Sequence, residues 1–307
     1  MRKTVIPGAS IAPEGMHVLY ADRSEPRVVY MHDVPYCTRD GQTLTMQMLF
    51  PRPPRGTFMG PGSVNTQPMP LIVYVQGSAW GKQNCYTGLP NLVDLARAGF
   101  VVASVEYRSS DVAPWPAFLM DVKAAIRYLK ANAEKFDIDK ERVGIWGDSS
   151  GGHTALMVGS TWWTKEFDDD ICPEESSDVN AVVSFYGLSD IARINDAPRN
   201  PIFVDRPPEE IPENILFRGN CAEHPEITAP GNPINYIHED KDYPPFLLFH
   251  GDEDGMVPFL QSALMYEKLR ACRKNVEFYK VKGADHGTYL WTPEVIGLVV
   301  KFFKAYV

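Results

Sequence analysis

A serine hydroxyl attacks a carbonyl only when a base takes its proton and an acid orients that base. Ser149 lies in the run Gly147-Asp148-Ser149-Ser150-Gly151-Gly152. The apolar run Val143-Gly144-Ile145-Trp146 precedes it, and the helix-compatible Thr154-Ala155-Leu156-Met157-Val158 follows. A serine between two glycines, at a strand-to-helix junction, reads as a nucleophile elbow. Side chains at Gly147 and Gly151 would clash with such a turn or with the neighbouring strand. The following helix aims its free N–H groups and positive dipole end at the serine, where a developing oxyanion is stabilised. For the base, His286 in Gly283-Ala284-Asp285-His286-Gly287 competes with six other histidines. His17 and His32 precede the central strands, and His224 and His238 fall in an irregular stretch. His153 falls on the helix beneath Ser149, and His250 ends a strand and fixes the loop after it. The acid is one of Asp252, Glu253 and Asp254, in His250-Gly251-Asp252-Glu253-Asp254-Gly255-Met256-Val257-Pro258.

These groups need a scaffold that carries them to one edge. Near-continuous apolar runs predict strands at Leu71 to Val75, Phe100 to Val105, Val143 to Trp146, Ala181 to Tyr186 and Phe246 to Phe249. A last strand is predicted at Val276 to Val281. Strands buried on both faces have this composition, which points to a parallel sheet. Arg27 to Tyr30 and Thr43 to Phe50 alternate and predict an antiparallel edge hairpin, followed by a Pro- and Gly-rich loop over Pro51 to Pro70. Helical periodicity marks Asn91 to Ala98, Phe118 to Phe136, Phe259 to Arg270 and Pro293 to Tyr306. The alternation gives an α/β class, a mostly parallel doubly wound sheet with helices on both faces. Its ligands sit at the carboxyl ends of the strands. Ser149, the acid segment and His286 each follow a predicted strand, and that order, serine then acid then histidine, is the order of the α/β-hydrolases. Two stretches break the alternation, at about 160–180 and 190–243, and are expected as lid or wall insertions within one 307-residue domain.

The segment from His250 to Pro258 resembles the HGxxDxxVP segment of α/β-hydrolase esterases. The similarity is to acetylxylan and feruloyl esterase-like (BD-FAE-type) enzymes and to hormone-sensitive-lipase-like carboxylesterases. It extends over roughly Leu71 to His286 and includes Val105-Glu106-Tyr107-Arg108 and Asp121-Val122-Lys123-Ala124-Ala125. Arg108 and Asp121 are expected to pair structurally. The resemblance implies an α/β-hydrolase fold with Asp254 as the acid and Asp252 as a loop-stabilising residue. Relatives carry His-Gly-Gly-x-Trp after the third strand, where this chain has Gln76-Gly77-Ser78-Ala79-Trp80. The implied oxyanion donors are the N–H groups of Gly77, Ser78 and Ser150. Aromatic residues offer flat walls to acyl chains and sugars, and Trp80, Trp162, Trp163 and Tyr186 are the candidates.

A net charge of −9 leaves no basic stripe for nucleic acid and disfavours anionic membranes. The five cysteines, Cys37, Cys85, Cys172, Cys221 and Cys272, form no CxxC pair, so no zinc or redox site is expected. Without a signal-peptide h-region or membrane span, and with scattered thiols, a cytoplasmic location is expected. The resulting expectation is a serine carboxylesterase acting on short-chain acyl esters, including acylated carbohydrate, with no cofactor and no metal. The alternatives are an amidase or peptidase of the same fold, arylformamidase-like or prolyl-oligopeptidase-like, and a non-catalytic binding protein.

Overall fold

The computed structural model describes residues 11, 13–20, 27–52 and 67–307. Eight strands form one sheet in the order β1-β2-β4-β3-β5-β6-β7-β8. They are β1 Val29–Arg39, β2 Gln42–Phe50, β3 Met69–Val75, β4 Val101–Val105, β5 Ile138–Asp148, β6 Ala181–Phe185, β7 Phe246–Gly251 and β8 Val276–Val281. β1 and β2 form an antiparallel edge hairpin, but β1 runs on to Arg39 where the sequence marks only Arg27 to Tyr30, because its exposed polar residues interrupt the alternation; β2 joins β4 antiparallel. Every pairing from β4 to β8 is parallel. Most of the loop expected over Pro51 to Pro70 lies outside the described residues, and its last two residues already belong to β3.

The central strands β3, β4, β6 and β7 are almost wholly buried because both faces are covered. Side chains alternate between faces with period two. In β3, Leu71, Val73 and Val75 enter one core cluster, while Ile72 and Tyr74 enter the other. The first cluster packs under α2 Ala117–Ala131, through Phe118, Leu119, Val122, Ile126 and Leu129. It also packs under α4 Ser150–Ser160 and α7 Leu260–Ala271. The second packs against α1 Leu89–Arg97, through Leu92 and Leu95, and α8 Pro293–Tyr306, through Val295, Val299 and Phe303. The helix predicted over Phe118 to Phe136 is two helices, α2 and the short α3 Ala133–Phe136, joined through Asn132. Asp137 ends the second with φ +57°, a left-handed stop before β5.

The insertions differ from each other. The acidic run in the first is a structural clamp. Lys123 and Arg127 of α2, almost fully buried, pair with Asp168 at 3.1 and 3.4 Å, and Arg127 also holds Asp169 at 2.5 Å. Arg39 of β1 grips the other oxygen of Asp169 at 2.5 Å. Arg108 makes a bidentate pair with Asp121, at 2.9 Å through both Nε and Nη2, as expected for a structural pair. The second insertion carries α5 Pro201–Val204, α6 Pro212–Phe217 and four 3-10 turns within residues 191–236. It packs over the carboxyl end of the sheet and closes one side of the cavity beside Ser149.

Candidate active site

The turn from β5 to α4 holds Ser149 at φ +53°, ψ −123°, a backbone well that non-glycine residues rarely occupy. The turn is tight enough to exclude side chains on both sides. A Cβ on Gly147 would lie 2.1 Å from the Gly151 carbonyl oxygen, and one on Gly151 would lie 1.9 Å from that of Val75. The Ser149 N–H is tied to the Phe185 carbonyl at 2.9 Å, which fixes the turn against β6.

His286 follows β8, and its Nε2 accepts from the Ser149 hydroxyl at 3.0 Å. Its Nδ1–H donates to Asp254 Oδ2 at 2.7 Å. Asp254, in the loop after β7, accepts the Met256 and Val257 amides at Oδ1, both at 2.9 Å. Burial raises its pKa, but the hydrogen bonds from His250 and His286 more than offset that. Together they hold the carboxyl well below the usual carboxylate range. His250 is locked: its Nδ1 accepts from Ser262 Oγ at 2.8 Å and its Nε2–H donates to the Val257 carbonyl at 2.9 Å. Of the three acids weighed for the loop, Asp254 reaches the histidine, while Asp252 accepts the Gly283 N–H at 2.7 Å and braces the neighbouring turn.

The loop after β3 differs from expectation in its donors. The Gly77 N–H is committed to Asp148 Oδ1 at 2.9 Å, and the Ser78 N–H to Ser150 Oγ at 2.9 Å. Neither is free for an oxyanion. The Ser150 N–H has no acceptor among the described residues, and the same holds for Ala79. Ala79 and Trp80 adopt φ +51° and +57°, and both line the cavity of about 150 Å³ that holds Ser149 and Ser150. Ala79 thus carries an N–H without an acceptor among the described residues beside Ser149, a position the sequence does not single out. Its one signal was a small residue beside Trp80, with no glycine to advertise the left-handed backbone. Ser78 serves the loop through its side chain, donating to the Gly81 carbonyl at 2.8 Å and accepting from the Tyr107 hydroxyl at 2.9 Å.

Asp148 joins this loop to the elbow, accepting the Tyr74 hydroxyl at 2.6 Å as well as the Gly77 amide. Burial raises its pKa against those hydrogen bonds and the nearby His286. His153 lies beneath Ser149, fully buried, and takes the Trp80 Nε1–H on Nδ1 at 3.1 Å. Its own Nε2–H donates to the Gly231 carbonyl at 2.7 Å. It thereby fastens the loop after β3, helix α4 and the second insertion together. Burial lowers its pKa to about 4, so the ring is neutral.

Of the four aromatic candidates, Trp80 alone lines the Ser149 cavity. Tyr186 does not line it: its ring lies against His286 with centroids 4.4 Å apart, and its hydroxyl accepts from Trp291 Nε1 at 3.2 Å. It supports the base from behind. Trp162 and Trp163 are drawn elsewhere by backbone acceptors, the Asp242 carbonyl at 2.7 Å and the Tyr236 carbonyl at 3.3 Å. Trp162 lines a separate surface depression with Tyr243 and Pro244. The remaining walls include Met256 and Val257 of the acid loop and residues with no motif, among them Leu188, Arg199, Phe203 and Glu213.

A parallel sheet flanked by an antiparallel hairpin, with its sharpest turn at a serine after β5, is the α/β-hydrolase fold. The chain belongs to the BD-FAE family, whose model matches residues 61–269. It is 32% identical over 224 residues to esterase LipC of Mycobacterium tuberculosis, covering 72% of this chain and 54% of that protein. The chain spans about half the length of the curated relatives it matches. Among solved structures, a bifunctional GH43-CE protein of Bacteroides eggerthii superposes with a TM-score of 0.76 at 30% identity. That match covers 90% of this chain and 38% of the other. A truncated carbohydrate esterase from gut microbiota superposes with a TM-score of 0.73 at 28% identity, covering 93% of this chain and 98% of that one. No helix among the described residues is long and apolar enough to cross a membrane.

Proposed function

We propose that the chain is a single hydrolase domain acting as a serine carboxylesterase on short-chain acyl esters, acylated carbohydrate among them. The observation that carries this reading is the unbroken run of hydrogen bonds from Ser149 Oγ to His286 and on to Asp254, at 3.0 and 2.7 Å. Because Nδ1 donates to Asp254, the lone pair of His286 faces Ser149. His286 takes the hydroxyl proton as Oγ bonds to the ester carbonyl carbon. Asp254 stabilises the imidazolium that results. The oxyanion is held by the Ala79 and Ser150 N–H groups and by the N-terminus of α4, each such donor lowering the barrier by about 3 kcal/mol. His286 then protonates the departing alkoxide, leaving an acyl-enzyme. Water enters, gives its proton to His286, and the same steps in reverse release the acid and restore Ser149.

The relatives' names support an ester rather than an amide as substrate. They include an esterase and a carbohydrate esterase. The five unpaired thiols support a reducing compartment, the cytoplasm. The test is hydrolysis of p-nitrophenyl acetate by wild type and Ser149→Ala at equal folded concentration. We expect a loss of kcat of at least about 10³-fold, in the range seen on deleting a nucleophile. A variant within tenfold of wild type would overturn the assignment.

A further inference from the structure

The cavity beside Ser149 has mostly apolar walls, but its charged groups do not balance. Arg199, Arg206 and Glu213 line it, two guanidinium groups against one carboxylate. Glu213 is matched by Arg199: both side chains are almost buried, and Arg199 Nη2 lies 3.5 Å from Glu213 Oε1. Arg199 is also tied to the acid loop, its Nε–H donating to the Met256 carbonyl at 2.9 Å. Arg206 is exposed and has no carboxylate within ion-pair distance among the described residues. On a chain of net charge −9, the solvent side of this cavity therefore carries an uncompensated positive charge. Apolar walls of low dielectric focus its field on whatever enters.

Arg206 is held in place from one side only. Its Nε–H donates to the Ile202 carbonyl at 2.8 Å, and its guanidinium carbon stands 5.8 Å from the ring centroid of Phe203, another wall of the cavity. Pro207 follows and restricts the Arg206 backbone. Nη1 and Nη2 are left without an acceptor among the described residues. A planar fork with both terminal nitrogens free matches the two oxygens of a carboxylate. The cavity also lies on the acyl side of the reaction. His286 protonates the departing alkoxide and so faces the alcohol, and it does not line the cavity, whereas Ser149, Ser150 and Ala79 do. An acyl chain bonded to Ser149 Oγ, with its carbonyl oxygen at the Ser150 and Ala79 N–H groups, extends into the space that Arg206 borders.

We propose that Arg206 is a specificity residue for acyl chains that end in a carboxylate, so that the enzyme prefers half-esters of dicarboxylic acids to uncharged esters of the same length. The preference rests on the esterase reading above, but binding of the charged end does not require turnover. The carboxylate accepts from Nη1 and Nη2 of Arg206. Because Arg206 is exposed, the carboxylate keeps part of its hydration and gains a partner without the full cost of burial.

The test compares kcat/KM for monomethyl glutarate with that for methyl glutaramate, in which an uncharged carboxamide of the same shape replaces the carboxylate. The ratio should exceed one in wild type and fall about fivefold in Arg206→Gln, the upper end for an exposed ion pair. Arg206→Lys, which keeps the charge, should retain most of the ratio, a rescue that a purely structural role would not give. A wild-type ratio at or below one, a ratio unchanged in Arg206→Gln, or a loss in Arg206→Lys equal to that in Arg206→Gln would overturn the assignment. The second measurement is an NMR saturation-transfer titration of the same two esters against Ser149→Ala, with and without Arg206→Gln. Tighter binding of monomethyl glutarate that disappears with Arg206→Gln supports the assignment even if wild type hydrolyses neither ester, an outcome that would defeat the esterase reading alone. Equal binding of the two esters, or binding of neither, overturns it.

Discussion

Acidification should loosen the site from beneath, through His153. This imidazole is fully buried, with the Trp80 N–H on one nitrogen and the Gly231 carbonyl on the other. Protonation would add an N–H that faces the Trp80 N–H, so burial and geometry both oppose it. With a folded pKa of about 4 against an ordinary 6.5, the unfolded chain binds the extra proton between those values. Stability is therefore full above about pH 6.5 and falls as the pH drops toward about 4, below which the slope vanishes. Linkage from these two values gives a loss of about 2 kcal/mol between pH 7 and pH 5. For 307 residues that corresponds to a Tm lower by about 3 °C. Other groups titrate in the same window, so the informative quantity is the difference between wild type and His153→Gln. Urea unfolding at pH 5, 6 and 7 should give a wild-type curve steeper than the variant's by about 2 kcal/mol over that range. Parallel curves would refute the claim that His153 is a neutral buried clamp.

Two further outcomes follow from the same geometry. Gly151→Ala would place a Cβ 1.9 Å from the Val75 carbonyl oxygen, within backbone that cannot retreat, so the variant should fail to give folded protein by circular dichroism. Asp254→Asn keeps an acceptor for the Met256 and Val257 amides but removes the charge that holds the His286 tautomer. Its kcat on p-nitrophenyl acetate should fall by about 10²- to 10⁴-fold, with a change in Tm too small to account for it.

Most of the sheet was legible in the sequence because burial on both faces writes itself as continuous apolar runs. β5 was read too short for the same reason. Its first half, Asp139-Lys140-Glu141-Arg142, is polar and largely exposed, and no apolar run marks it. α8 was read with both ends correct because Thr292 caps it, accepting the Val295 N–H at 3.3 Å, and Pro293 opens it. Ser149, His286 and the acid segment were legible because each stands just past a strand and the topology gathers those ends, while the choice of Asp254 over Asp252 and Glu253 came from the resemblance to esterases. The N–H of Ala79 was not legible, since its backbone turns left-handed, at φ +51°, with no glycine to mark the turn. The tryptophans misled because residue type does not disclose a partner: Trp162 and Trp163 are held away from the Ser149 cavity by backbone carbonyls. The ion pair at Arg199 and Glu213 lies in an insertion without a motif, and a three-dimensional contact alone reveals it.

The central claim is that Ser149 is the nucleophile activated by His286. Its most direct test is intact-protein mass spectrometry after exposure to a fluorophosphonate, followed by peptide mapping. We expect one stoichiometric adduct on Ser149, absent in Ser149→Ala and formed far more slowly in His286→Ala. An unlabelled wild-type protein, or an adduct on another residue that persists in Ser149→Ala, would contradict it.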